Sequence, residues 1–458
     1  MRRFSDFSRV VTLVSLVIAS VLLYRKRFLY YDLQEDDFTF AYAARTWQTT
    51  WESVTVPFLV HFCPLFRLLT GLLVSLASRP AELRVVFVPP MVAVLCLLLI
   101  SVYAFLERET GRPLAGMLGV ILFGLSSNLA DTFAWYGSSG AQWSVLFLIL
   151  TLLSASLYQT SGSGWALLST YVLSFLAPCW WTIGILAGPS AAIYLLLRGG
   201  PSTRSLRAAV IPILGSLSYF VPVVVLGYWT GASGRFQWLP TIGNTFRGVS
   251  EVLVLRNCGL AVDPWSMGKC LVYLLGTLVV ATWWFIRGSQ RSLMLLGISL
   301  CLMSYIIVYG YAQAYNVDRS GRYQLVAQFG LALFIAGGLR KGDMAERGMS
   351  VRDTLIVVLC ATLFWCTHRY SVALTLEPQR FPMQAMQLGQ LELILAEARR
   401  QGIGMDLLRE AIGPFRIEGS LVNFDGLSLL EASLPATTPA GEQMSSSALR
   451  ARINQLLE

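Results

Sequence analysis

The segment Tyr31-Asp32-Leu33-Gln34-Glu35-Asp36-Asp37-Phe38-Thr39-Phe40 holds four of the chain's 26 acids. Phe40, Ala44, Trp47, Trp51 and Val54 follow it at helical spacing, which predicts one amphipathic helix over 38–54 lying against a bilayer or a helical bundle. Asp36 extends that apolar stripe by one turn, whereas Asp37 is rotated about 100° away and is expected to be wetter. A carboxylate on the edge of an apolar surface loses hydration, which raises its pKa toward the range of a general base able to deprotonate a hydroxyl. The same positions also suit plain first-turn acids favoured by the helix dipole, and position alone weighs the two readings equally.

Cations appear at two further places. His61-Phe62-Cys63-Pro64-Leu65-Phe66-Arg67 sets one of only two histidines and an arginine at the mouth of an apolar segment. The pair suits a phosphate at a lipid interface, but a snorkelling arginine beside a solvated histidine explains the same residues and is the reading position alone favours. Tyr315-Asn316-Val317-Asp318-Arg319-Ser320-Gly321-Arg322-Tyr323-Gln324 places two guanidinium groups at the end of an apolar run. Arginine forks pair bidentately with phosphate oxygens, so Arg319 and Arg322 suit a lipid-linked phosphate; interfacial anchoring, with Asp318 pairing to Arg319, is the alternative. Asp131, Trp135 and Tyr136 add an acid and two aromatics between apolar segments, where Trp and Tyr commonly form interfacial belts.

The elements that carry these residues follow from composition. Of 458 residues 55% are hydrophobic and 13% charged, with mean hydropathy +0.60, about half the roughly 25% charge of a soluble domain. Residues 132–197 contain no Asp, Glu, Lys or Arg. This predicts an all-α polytopic membrane protein with about eleven spans, near 10–24, 85–106, 113–128, 142–158, 165–179, 181–197, 208–229, 271–287, 292–311, 323–339 and 353–368. The segment 61–77 is short and contains Arg67, and reads as a juxtamembrane or re-entrant helix. With the amino terminus inside, basic residues are more than twice as dense in the inner segments as in the outer ones, although Arg25, Lys26 and Arg27 oppose that assignment. The first outer segment, 25–84, is then far longer than a passive bundle needs, and long loops gathered on one face commonly carry a site. Residues 1–368 read as the transmembrane domain and 369–458 as a small extracytoplasmic appendage, with helical periodicity over 384–411 and a flexible 432–447.

The net charge of +9 comes from short clusters between apolar runs, as topology signals do, and does not point to nucleic acid. The eight cysteines have no metal or redox spacing. No Walker loop, His-Glu-x-x-His or Asp-x-Asp pair points to a nucleotide donor.

These features resemble the GT-C superfamily of integral membrane glycosyltransferases, which includes the protein O-mannosyltransferases and aminoarabinose transferases. The resemblance lies in a first span followed by a long loop opening on Asp36-Asp37-Phe38-Thr39-Phe40, in the element His61 to Arg67, in the span, short basic loop, span unit over 85–128, and in Arg322-Tyr323 at a late span end. Where many relatives carry a charge after the fifth span, this chain has Pro178-Cys179-Trp180-Trp181. The resemblance implies a multi-pass protein of the inner membrane that moves a sugar from a polyprenyl-phosphate carrier to a lipid, glycan or protein hydroxyl on the periplasmic face. Asp36 would be the base of an inverting displacement and Asp37 a supporting acid. Arg322, helped by Arg319, His61 or Arg67, would hold the departing phosphate, with Tyr323 beside it and Asp131, Trp135 and Tyr136 as further contacts. It implies no cofactor; a divalent metal on Asp36, Asp37 and Asp131 is possible but not favoured. A lipid-linked-sugar flippase and a non-catalytic scaffold are the alternatives. The missing internal repeat and the uncharged 132–197 stretch count against a transporter.

Overall fold

The computed structural model describes residues 2–29, 37, 40–41, 43–57, 61–77, 80–226, 238–258, 267–311, 321–339 and 351–375. Asp36, Asp318, Arg319 and the whole of 376–458 lie outside the described residues, as do the side chains of Asp131, Cys258 and Cys270. Among the described residues the chain is helical and contains no β-strand. The principal helices are α1 (Arg2–Leu23), α2 (Trp47–Val54), α3 (Pro64–Ser75), α4 (Pro80–Thr110), α5 (Pro113–Gly124), α6 (Tyr136–Ser161) and α7 (Gly164–Trp180). They continue with α8 (Ala187–Gly199), α9 (Thr203–Ser218), α10 (Trp238–Arg247), α11 (Met267–Arg287), α12 (Arg291–Tyr311), α13 (Leu325–Gly338) and α14 (Val351–Thr375).

Each expected span overlaps a helix. Five helical segments, Glu82–Thr110, Tyr136–Ser161, Thr182–Gly199, Thr203–Val225 and Arg291–Gly310, are long and apolar enough to cross a membrane by length and composition; others, such as Pro113–Gly124 and Leu325–Gly338, are apolar but shorter. The helix over 61–77 has 12 residues. At 1.5 Å per residue that is about 18 Å, short of a hydrocarbon core of about 30 Å.

Chain contacts separate two units: Met1–Arg25, Thr55–Phe66 and Met91–Thr375 form the first, and Lys26–Val54, Arg67–Pro90 and Leu376–Glu458 the second. In the first unit, α6 packs on α7 and α8, α9 packs on α7 and α8, and α5 touches α1, α13 and α14. The turns are written locally. Gly162 closes α6 in the left-handed region at φ 66°, donating its N–H to the Tyr158 carbonyl at 2.8 Å. Helices α12 and α13 meet closely because a Cβ on Gly297 would stand 2.5 Å from the Gly330 carbonyl oxygen, and one on Gly330 2.6 Å from that of Gly297.

Hydrogen bonds fix which helix ends lie together in this unit. At one end Arg9 of α1 pairs with Glu107 of α4 at 2.7 Å. There the Glu109 carboxylate accepts from Ser156 Oγ at 2.5 Å, from the Tyr194 hydroxyl at 2.8 Å and from Arg198. Arg108 donates to Ser156 Oγ at 2.8 Å and to Thr160 Oγ1 at 2.7 Å. At the other end Tyr24 donates to the Gly124 carbonyl at 3.2 Å and packs edge-on to Phe133 and His368. That second end also carries a polar brace, in which Asn257 bonds Ser126 Oγ at 2.7 Å and Gln328 Oε1 at 2.9 Å.

The second unit corrects the single-helix expectation for 38–54. A turn at Ala44 and bends at Arg45 and Thr46 interrupt it, and α2 starts afresh at Trp47. The reason is a local cap: the Thr49 N–H donates to Thr46 Oγ1 at 3.1 Å, and the Thr46 N–H donates to Thr49 Oγ1 at 3.1 Å. Consequently α2 buries Thr50 and Ser53 and leaves Trp47 and Trp51 exposed, so the apolar stripe does not run through. Gly71 of α3 sits so close to Thr50 that a Cβ there would collide with its side chain.

Candidate functional site

In the first unit a cluster forms where α7 ends. Pro178 cannot donate to the helix ladder, and the chain turns extended at Trp181, φ −163° and ψ 142°. The carbonyls of Ala177 and Trp181 share the Ser144 hydroxyl at 2.5 and 2.6 Å, which meets needs created by the helix end. Trp181 is thereby pinned as a wall, 2% exposed, with the His61 ring against it at 4.3 Å and 30°.

The segment carrying His61 is fixed from both sides. The Tyr219 hydroxyl donates to the Phe62 carbonyl at 2.6 Å, and Phe62, Cys179 and Tyr219 pack together. His61 Nδ1 lies 3.0 Å from Thr182 Oγ1. Burial, with the nearby Arg322 cation adding to it, lowers the His61 pKa to about 3, so its imidazole is neutral at physiological pH. When the Thr182 hydroxyl donates to Nδ1, the proton sits on Nε2, which can then donate to a ligand.

Arg322 comes from the short helical turn Gly321–Tyr323. Gln324 secures that turn: its N–H donates to the Gly321 carbonyl at 2.9 Å and its Oε1 accepts from the Tyr305 hydroxyl at 2.5 Å. A Cβ at Gly321 would lie 2.5 Å from both the Asn128 carbonyl and Thr132 Oγ1, so the turn seats directly on the 128–132 segment. The Arg322 guanidinium carbon then stands 5.0 Å from the Trp135 ring, 5.3 Å from that of Tyr323 and 5.8 Å from that of Trp181. Ring faces attract the cation and hold its planar fork without neutralising it. The cluster thus offers a fixed positive charge beside a neutral imidazole, a combination suited to an oxyanion.

Of the residues singled out in the sequence, the structure brings together His61, Trp135, Arg322 and Tyr323, with Tyr136 joining through Phe66, whose ring lies 5.2 Å from Tyr136 and 6.2 Å from Trp181. His61 is half-buried against Trp181, and its lowered pKa keeps it neutral, which counts against the solvated-histidine alternative. Arg67 belongs to the second unit, where it lies 4.7 Å over the Phe40 ring and is 5% exposed, so it does not snorkel to water. Asp37, expected to be the wetter of the acidic pair, is buried. Phe40, Ala41 and Ala44 are buried as well, so the face that includes Asp37 points inward. Asp36, Arg319 and the Asp131 side chain fall outside the described residues. Among the described residues no group of three His, Cys, Asp or Glu side chains converges as a metal site requires.

Sequence reasoning missed Trp181 and Thr182 as site residues. Their only signal is Pro178 three residues earlier, announcing a helix end inside an uncharged stretch. No protein-family model matches the chain, and comparison with curated proteins finds no relative.

Proposed function

We propose that the protein is a GT-C-type membrane glycosyltransferase crossing the membrane about eleven times, with the cluster around Arg322 facing the periplasm or exterior. Its donor is a polyprenyl-phosphate sugar and its acceptor a hydroxyl on a lipid, glycan or protein. The reaction breaks the bond between the anomeric carbon and the phosphate oxygen and forms one to the acceptor oxygen. The acceptor's proton passes to Asp36, and the bonding pair leaves with the phosphate. Arg322 steadies the charge that develops on that phosphate, with Arg319 as a second cation, Tyr323 and the neutral His61 as hydrogen-bond partners, and no metal needed. Asp37 supports the base.

One observation supports this reading most strongly: an arginine held by three aromatic rings beside a neutral histidine, among the ends of apolar helices. The reading is tested with radiolabelled polyprenyl-phosphate sugar in detergent micelles, where transfer can proceed but flipping between leaflets cannot. Wild-type protein should label an acceptor, and Asp36→Asn should abolish labelling while expression and melting temperature stay unchanged. Full turnover in Asp36→Asn removes Asp36 as the base.

A further inference from the structure

Helix α6 begins immediately beside Arg322, since Trp135, whose ring the guanidinium faces at 5.0 Å, is the residue that precedes its first turn. On the other side of that turn a Cβ at Gly140 would lie 3.0 Å from the Trp181 ring. The start of this 26-residue helix is therefore set between two walls of the arginine cluster. Helix amino ends favour anions through their N–H groups and dipole, but that alone names no ligand.

The side chains there supply an independent observation. Ser138 and Ser139, in the first turn and each 1% exposed, hold hydroxyl oxygens that make no hydrogen bond among the described residues. The same is true of Thr132 Oγ1 and Trp135 Nε1, and of Gln142 Oε1 one turn further on. Buried polar atoms are normally satisfied, and each one left unpaired costs about 1–3 kcal/mol. Four of these five atoms can donate; Trp135 and Thr132 stand against the Arg322 turn, and Ser138 and Ser139 follow Trp135 in the first turn of α6.

We infer that the amino end of α6 is an oxyanion site in which Ser138 and Ser139 donate hydrogen bonds to the same phosphate that Arg322 holds. The inference rests on the donor-site reading of Arg322 and adds two positioning residues to it. The bland role, helix packing, makes an opposite prediction. Removing a hydroxyl that only packs should disturb the helix, whereas removing one that waits for a ligand spares the empty protein a buried unpaired group.

The test uses the full chain in detergent with three probes: a short isoprenyl monophosphate, the matching isoprenyl alcohol, and inorganic phosphate. The monophosphate should raise the wild-type melting temperature and the alcohol should not. In Ser138→Ala/Ser139→Ala the unliganded protein should melt at or above the wild-type temperature, while affinity for the monophosphate falls about tenfold or more. Stabilisation by the monophosphate at concentrations where inorganic phosphate is inert marks a lipid headgroup site; equal effects mark a free-phosphate site. Unchanged affinity in the double variant overturns the inference, and so does an unliganded variant that melts well below wild type; Ser138→Ala and Ser139→Ala taken singly apply the same criterion under a smaller perturbation. Serine-dependent phosphate binding without sugar transfer would leave this inference standing and the transferase reading fallen. Transfer with dispensable serines would do the reverse.

Discussion

The two ends of the first unit use charged side chains in opposite ways. At the Glu109 end polar groups converge on one anion: the carboxylate accepts from a serine, a tyrosine and an arginine, and Arg198 also reaches Gln290 Oε1 at 3.4 Å, leaving Gln290 Nε2 unpaired. The network joins α4, α6, α8 and the start of α12, and reads as a clamp. At the Arg322 end the cation faces three rings, and Trp135 Nε1 and Thr132 Oγ1 have no hydrogen-bond partner among the described residues. A network built around one carboxylate contributes position, whereas unpaired donors near a cation are what the proposed phosphate site requires. The difference separates structural from functional polarity in a chain where both kinds are rare.

The comparison can be broken at several points, in decreasing order of effect. Glu109→Ala removes a buried carboxylate that accepts from Ser156, Tyr194 and the partly exposed Arg198, and stability should fall by about 2 kcal/mol, read from thermal or denaturant unfolding in detergent. A change below about 0.5 kcal/mol would mean that the clamp is decorative.

His61 should make stability depend on pH. Its folded pKa, about 3, lies below the ordinary 6.5, so between those values the unfolded chain binds the extra proton. Stability should therefore be fullest above pH 6.5 and fall as the pH drops toward 3, and His61→Gln should flatten that slope. An unchanged slope would show that the ring titrates normally.

The smallest effect belongs to Arg9, whose pairing with Glu107 is partly exposed. Arg9→Gln should cost under about 1 kcal/mol and respond to salt, in contrast to Glu109→Ala. A larger loss would place Arg9 in the clamp rather than on its rim.

Much of this architecture was legible in the sequence. Helices announced themselves as uncharged runs bounded by glycine, proline and arginine, because a backbone in an apolar setting must satisfy its own hydrogen bonds. The break before α2 was also written there, in Thr46 and Thr49, but the apolar spacing of Phe40, Ala44, Trp47 and Trp51 outweighed it. Reading Asp36 as the inward acid followed from that same wheel, and Asp37 is the one found buried with Phe40 and Ala41. Arg322 and His61 were singled out by type and position, yet their meeting at Trp181 depends on packing between segments more than a hundred residues apart. Trp181 itself was hidden because tryptophan is so common at membrane interfaces that its type alone carries little information. The neutrality of His61 was likewise invisible, since it arises from burial and from a cation distant in sequence.

The central claim is that Arg322 holds an oxyanion for catalysis rather than for folding. The most direct measurement compares sugar transfer from a polyprenyl-phosphate donor by wild type, Arg322→Ala and Arg322→Lys, each matched for melting temperature. Transfer should fall by about 100-fold or more in Arg322→Ala, with Arg322→Lys only partly restored because the planar fork is lost. Arg322→Ala protein that folds normally and transfers sugar at the wild-type rate would contradict the account.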